Sequence, residues 1–279
     1  CMKNVLLLTD FSKNARNSIS YGITLFKEDA NYTLLNACID PTMNTDTLIS
    51  VRDILQEKSE NGLEADLHFI EDQFHLPNLK IKSRTEYGTI DSIFEDVASD
   101  EDFDFVVMGT KGKTAESWMV GSATETVTRH SQVPVIIVPD KVIYKEINSI
   151  VYASNLYEDE SFLISSVVNF AKFSDASLTI LHVDKSPSSA VESVHKFNEI
   201  KNRTPYSKLN FVELVEDDVE DAIVSYVENN KIDLLALTTY TTTLMKRIFH
   251  KSVTKNLIHH MHIPMLIFNR KKYSYIFLG

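Results

Sequence analysis

The feature that most constrains this chain is an internal duplication. Residues Asn4–Asp10 (NVLLLTD) resemble Ser149–Asn155 (SIVYASN), and Thr33–Ala37 (TLLNA) resemble Thr179–Val183 (TILHV). Asp104–Gly109 (DFVVMG) resemble Asp233–Thr238 (DLLALT). The clearest pair is Val133–Val138 (VPVIIV) with Ile263–Phe268 (IPMLIF). The pairs keep the same order, so the chain reads as two related domains, 1–140 and 146–270. The offset falls from about 145 for the early segments to about 130 for the late ones. The first copy therefore carries some fifteen extra residues in its middle.

Within each copy, short apolar runs alternate with segments of helical spacing. Val5–Thr9 is a continuous apolar run of strand length, as in a strand buried on both faces. Asn14 to Glu28 places Ala15, Ile19, Ile23 and Phe26 on one helical face. Tyr32–Ala37 follows as a strand. Asp46 to about Phe74 reads as a helix with a weak point at Gly62 and a stop at Pro77. Strands are expected at 79–84, 105–108 and 135–138, with helices at 89–98 and 123–128. The second copy predicts strands near 149–153, 177–183, 209–215, 233–237 and 264–268. Such alternation implies βαβ units and an α/β fold: two tandem, doubly wound, parallel-sheet domains.

Composition removes several classes. The chain has 279 residues, of which 43% are hydrophobic and 24% charged, as in an ordinary globular protein. No apolar run is long enough for a transmembrane helix, and Asp10 interrupts the first apolar run too early for a signal-peptide core. Two cysteines, Cys1 and Cys38, cannot build a disulfide framework, and the expectation is a reducing cytoplasm. Cys1, which precedes Met2, is set aside. The net charge of −11 lies entirely in the first 140 residues, and the remainder is neutral. That distribution argues against a nucleic-acid groove, which needs Lys and Arg to neutralise phosphates.

Glycine is scarce, and its placement is informative. The seven are at 22, 62, 88, 109, 112, 121 and 279. Three of them fall within thirteen residues, just after a strand, where ligands of open α/β sheets sit. Glycines let backbone N–H groups approach phosphate and permit positive φ. Ser122 follows Gly121 and opens a helical stretch, a natural anion site; the plainer reading is a set of turns with Ser122 as N-cap. The loop is not a P-loop, because Val107 stands where the first glycine belongs, and no dinucleotide fingerprint is present.

With these segments in view, the chain resembles the universal stress protein family in tandem form over nearly its whole length. The likeness rests on Thr9-Asp10-Phe11-Ser12, the glycine loop, Gly121–Val127 and Val133–Val138. It implies an adenine nucleotide alpha hydrolase-like (Rossmann-like) fold. It also implies an intramolecular pseudo-dimer in which the two last strands pair, and further dimerisation is an open option. In its nucleotide-binding branch the signature is Gly-x2-Gly-x9-Gly-Ser/Thr. Carried over, Asp10 would meet the adenosine end and Ala37 the adenine. Met108, Gly109 and Gly112 would line the ribose and phosphates, and Gly121, Ser122 and Ala123 would hold the terminal phosphates. Eight residues separate Gly112 from Gly121 here, where the pattern has nine. In the second copy Thr238, Thr241 and Lys251 replace the glycines and Asn155 the aspartate, leaving Ser252 alone, which reads as a degenerate site.

The expected function is ATP binding, with or without magnesium, in a regulatory stress-response protein. Hydrolysis should be slow or absent, and no catalytic residue or metal ligand is assigned. The alternative is a nucleotide-free scaffold acting through protein partners. An adenylylating enzyme would need signatures the sequence lacks. His259-His260-Met261-His262 reads as a helix end rather than a metal site, and the acidic run from Glu95 to Asp104 as a solvated loop. Cys38 has no basic neighbour in sequence to lower its pKa.

Overall fold

The computed structural model describes residues 2–38, 49–88, 92–94, 96–97, 102–110, 122–156, 160–184, 190–238 and 263–269. The chain divides into two compact units, Cys1–Tyr144 and Lys145–Gly279. In the first unit the strands are β1 (Lys3–Thr9), β2 (Ala30–Cys38), β3 (Lys80–Tyr87), β4 (Phe105–Gly109) and β5 (Val135–Val138). Their order is β3-β2-β1-β4-β5, and every pair is parallel. The helices are α1 (Lys13–Phe26), α2 (Ile49–Gln73) and α3 (Ser122–His130).

Strand β1 is central because its sequence suits burial on both faces. Val5, Leu6 and Leu7 are buried, as are Leu34 and Leu35 of β2 and Val106 and Val107 of β4. The register pairs Thr9 with Asn36 and Leu7 with Val107, so the three carboxyl ends finish together. The strand order reverses between β1 and β4, which makes the crevice there the place for a ligand. Helix α1 covers these strands with Ile19, Ile23 and Phe26. A Cβ on Gly22 would lie 3.1 Å from Leu7 Cδ2 and 3.3 Å from Val107 Cγ2, so glycine permits this close seating. Beyond β5 the chain returns along α1. Asn17 donates to the Pro139 and Val142 carbonyls (3.3 and 2.9 Å), and Tyr144 packs edge-on against Tyr21.

The second unit repeats the plan with β6 (Ser149–Ser154), β7 (Ser177–Asp184), β8 (Leu209–Val215), β9 (Leu234–Thr238) and β10 (Met265–Phe268). Their order is β8-β7-β6-β9-β10, again all parallel. Its helices are α4 (Ser161–Phe173), α5 (Ala190–Arg203) and α6 (Val219–Asn229). The extra length of the first copy is largely in α2, which has 25 residues against 14 in α5.

Three sequence expectations take a different physical form. The acidic run does not end in solvent. Asp104, half-buried, accepts from the Asn4 backbone N–H (2.9 Å) and latches the start of β1 to that of β4. Its repeat counterpart, Asp233, accepts from the Asn148 and Ser149 N–H groups (2.9 Å each) and meets Lys145 at 2.7 Å. Burial pushes the Asp233 carboxyl up, but Lys145 and these donors outweigh it and hold it below the ordinary range. Gly62 does not weaken α2, which runs through it unbroken. It is a glycine because the Phe11 ring occupies the space where a Cβ would sit, 2.6 Å away. Finally, the helix stops at Gln73, before Pro77, which lies in the following turn. The expected helix at 89–98 lies partly outside the described residues.

Gly62→Ala tests the Phe11 contact. Alanine favours an exposed helix interior by about 1 kcal/mol, yet here the methyl must displace the ring. The expected outcome in urea denaturation is no gain, or a loss, in the wild-type background. The usual gain of about 1 kcal/mol should return when Phe11 is first cut to alanine.

Candidate functional site

At the carboxyl end of β1, the Thr9 hydroxyl does two jobs. It accepts from the Phe11 N–H (3.0 Å) and donates to Asp66 Oδ2 (2.6 Å). The first contact holds a turn in which Phe11 has φ +64°, a left-handed conformation uncommon for a bulky residue. Asp10 Oδ1 accepts from the Ser12 N–H (3.0 Å), and Ser12 Oγ accepts from Ala15 N (3.1 Å), capping α1. The sequence Thr-Asp-Phe-Ser is thus a self-bonded turn that presents Asp10 at the crevice mouth.

Asp66 is fully buried in α2, and its other oxygen accepts from Arg16 Nε at 2.7 Å. The Arg16 guanidinium also lies 5.3 Å from the centre of the Phe69 ring. A buried carboxylate needs such pairing, and the Arg16 side chain, 36% exposed, supplies it from the crevice side. From the neighbouring strand, Asn36 Nδ2 donates to the Thr9 carbonyl (2.8 Å). Its Oδ1 accepts from Ser59 (2.9 Å) and from the Cys38 thiol (3.2 Å). Across the crevice, a Cβ on Gly109 would lie 2.8 Å from the Asn14 amide nitrogen. Thr124 of α3, buried, donates to the Gly109 and Thr110 carbonyls (3.2 and 3.4 Å). The ends of β1 and β4, the first turn of α1 and the first turn of α3 therefore converge.

The second unit builds the same turn with different chemistry. Ser154 Oγ accepts from the Leu156 N–H (3.2 Å), and Leu156 has φ +55°. The Ser154 hydroxyl donates to the carboxyl of Glu160, which is 5% exposed. His182 stands at the Asn36 position, its Nδ1 3.0 Å from the Ser154 carbonyl. A carbonyl only accepts, so Nδ1 carries the proton. Burial raises the Glu160 pKa, while Ser154, Tyr152 and His182 pull it back down without cancelling the effect.

Comparison with known proteins decides the family. The universal stress protein family profile matches residues 2–139 and again 148–269. The chain belongs to the universal stress protein family. It is 25% identical over 171 residues to a universal stress protein of Synechocystis sp., covering 60% of this chain and 58% of that one. A universal-stress-type protein of Staphylococcus saprophyticus is 28% identical over 140 residues, 49% of this chain and 83% of its own. The crystal structure of a universal stress protein from Archaeoglobus fulgidus shares the fold, with a TM-score of 0.70. It has 18% identity, with 96% of this chain and 98% of that one covered.

Within this universal stress protein the predicted site residues fall as follows. Asp10 and Ala37 are half-buried at neighbouring strand ends, Ala37 one residue past the Thr9–Asn36 pair. Met108 is buried in β4, and Gly109 ends that strand. Ser122 opens α3 as expected from sequence, with Ala123 exposed after it. Gly112 and Gly121 lie outside the described residues, as do Thr241, Lys251, Ser252 and His259–His262. Gly109 does not have positive φ; it is required by the approach of Asn14. Asn155 is exposed and Thr238 buried.

The sequence reading missed Asn14, Arg16, Asp66 and Thr124. Asp66 carried a signal. Ser59, Leu63, Asp66 and Ile70 recur at helical spacing and form the buried stripe of α2, so a carboxylate stood on an otherwise inward-facing row. No group of three potential metal ligands exists among the described residues. None of the helices, among those residues, is long and apolar enough to cross a membrane.

The Glu160 environment predicts a pH signature. A carboxyl with a raised folded-state pKa favours folding while protonated. That contribution is present at low pH and is lost as pH rises from the ordinary glutamate range through the raised value. Glu160→Gln keeps an acceptor for Ser154 and cannot ionise. Its melting temperature relative to wild type should therefore climb between pH 4 and pH 8 in calorimetry, roughly the range over which buried carboxyls titrate. A constant offset would show that Glu160 does not ionise there.

Proposed function

We propose that this universal stress protein binds an adenine nucleotide, ATP, in its first unit and acts as a regulator in stress response. The observation that carries the reading is the convergence of Asp10, Gly109 and the start of α3 at the point where strand order reverses. The residues there fit such a ligand in two respects. Asp10 offers a carboxylate for ribose hydroxyls. Helix α3 begins beside Gly109, with its first backbone N–H groups suited to phosphate. The adenine assignment itself follows from the family resemblance. The second unit is read as a retained fold without the site, since Asn155 and Thr238 replace Asp10 and Gly109.

One observation favours the alternative of a nucleotide-free scaffold. Gly109 has a structural reason to be glycine in Asn14, so it need not report a ligand. Released nucleotide, identified by mass spectrometry after denaturing the purified protein, discriminates the two readings.

The variant Asp10→Asn keeps an acceptor for the Ser12 N–H but removes the charge, and it reproduces the residue of the second unit. ATP affinity should fall about tenfold or more, the scale of a hydrogen bond to a charged group. Asn155→Ala should leave it unchanged. Isothermal titration of both variants is the check, and equal losses would remove the asymmetric reading.

Hydrolysis should be slow or absent. Phosphoryl transfer needs charge positioned on the γ-phosphate and an oriented nucleophile. Asp10 is assigned to the adenosine end, which leaves no carboxylate assigned to a magnesium ion. A steady-state turnover above about one per second with magnesium, the lower end for dedicated phosphotransfer enzymes, would place the protein among enzymes instead.

A further inference from the structure

The two units end their sheets in unlike strands. β3, the outermost strand of the first unit, carries Lys80, Lys82, Arg84 and Glu86. Charged side chains, lysine above all, keep a bare strand edge from pairing with another chain. β8 holds the same place in the second unit. Its sequence, Leu-Asn-Phe-Val-Glu-Leu-Val, includes a single charge, Glu213, and Val215 at its end is 49% exposed. Among the described residues no strand pairs with its outer side.

The ladder to β7 fixes which backbone groups are left over. The Leu178 N–H donates to the Lys208 carbonyl and the Glu216 N–H to the Asp184 carbonyl (2.9 Å each). In a parallel ladder, alternate residues turn both backbone groups to the same neighbour. With Leu178 beside Leu209 and Asp184 beside Val215, the even-numbered residues of β8 are the ones bonded to β7. Phe211, Glu213 and Val215 therefore turn N–H and C=O outward. Leu209 turns only its carbonyl outward, since its N–H goes to the Tyr206 carbonyl (3.2 Å). Helix α5 braces the strand from one face, where the Phe197 and Phe211 rings stack at 4.8 Å.

These outward groups are complementary to themselves. Laid antiparallel on a second β8 with Val212 on the two-fold axis, Phe211 faces Glu213 and Leu209 faces Val215. The Phe211 and Glu213 N–H groups then meet each other's carbonyls, and the Val215 N–H meets the Leu209 carbonyl. The two Val212 side chains, half-buried in one copy, meet on the axis. The same register sets Lys208 opposite Glu216 at both ends, a favourable cross-strand pair. Lys208 donates to the Asp175 carbonyl and Oδ1 (2.6 and 2.7 Å), which leaves one of its three ammonium protons. Moving the axis to Glu213 would bring two carboxylates directly opposite. Moving it to Phe211 would set Lys208 against Leu214 and Val215 beyond the end of the strand.

We propose that β8 is an interface through which two copies of this chain pair antiparallel about a two-fold axis, joining their second-unit sheets edge to edge. The partner is a second copy because the register that matches the hydrogen bonds also matches the charges, as an isologous contact requires. The interface does not depend on nucleotide binding and is tested without nucleotide.

The experiment is sedimentation velocity of the full chain from about 1 to 200 μM, a span that brackets the affinities of small interfaces. Wild type is expected to shift from the mass of one chain to that of two. Glu213→Pro removes only an outward N–H, which an edge strand tolerates, so it should abolish the shift and keep the melting temperature. Glu216→Lys should weaken association roughly fivefold, the scale of two exposed cross-strand pairs, and adding Lys208→Glu should restore it. Val212→Cys, in a chain with Cys1 and Cys38 changed to serine, should give a disulfide-linked dimer. Opposite residues of a non-hydrogen-bonded antiparallel pair have Cα atoms about 4.5 Å apart, within disulfide reach. Asn210→Cys, which faces Leu214, should give none. The proposal is overturned if wild type stays at the mass of one chain throughout. It is overturned equally if folded Glu213→Pro associates as wild type does. Should that variant not fold, the cysteine pair decides: no linked dimer from Val212→Cys, or as much from Asn210→Cys, overturns it.

Discussion

The structure of each unit turns on one hydroxyl at the last residue of its central strand. A chain leaving β1 must reverse into α1 within three residues, and Phe11 takes a left-handed conformation to do so. Thr9 Oγ1 holds that turn by accepting the Phe11 N–H, and it is itself fixed because its proton is directed to Asp66. The hydroxyl therefore joins the turn to α2, a helix from a later part of the chain. The Phe11 ring, once turned outward, finds its seat on α2 only because residue 62 lacks a side chain. Turn, helix and strand end are thus mutually required, and the position of Asp10 follows from all three.

The second unit keeps the hydroxyl and changes its partner. Ser154 bonds Leu156 and donates to Glu160, which comes from the start of α4 rather than from a distant helix. Asp66 has Arg16 beside it, 2.7 Å from its Oδ1. Glu160 has a histidine and two hydroxyls instead, and burial dominates, so its pKa is raised above the ordinary glutamate value. Two copies of one fold have solved the same turn, once with an ion pair and once with a carboxyl whose charge is disfavoured.

Much of this was legible in the sequence because it depends on local pattern. The apolar runs located the strands to within a residue or two, since burial on both faces leaves no polar alternation to misread; β3, expected at 79–84 and not an apolar run, continues to Tyr87. The duplication supplied the parallel order twice. What escaped were side chains whose meaning depends on partners far along the chain. Asp104 stands in an acidic run, and nothing in that run separates it from its solvated neighbour Asp102; Asn4 and Lys3, a hundred residues earlier, give it a structural role. Gly62 has the same difficulty, because the reason for it is the ring of Phe11. Periodicity reports which face a residue occupies, whereas the identity of the group opposite is a property of the tertiary fold.

Gly109 shows how far a glycine near a ligand crevice can carry an argument. Its aligned partner is Thr238, buried at the end of β9, so the strand position by itself accommodates a β-branched side chain. The obstacle in the first unit is the amide of Asn14, which occupies the space a Cβ would need. Replacing Gly109 would push the Asn14 amide aside whether or not a phosphate ever approaches. A loss of nucleotide affinity in such a variant would therefore confound packing with recognition. At Asp10 an asparagine keeps an acceptor for the Ser12 N–H and removes the charge, and this makes it the residue on which the two readings of the crevice separate.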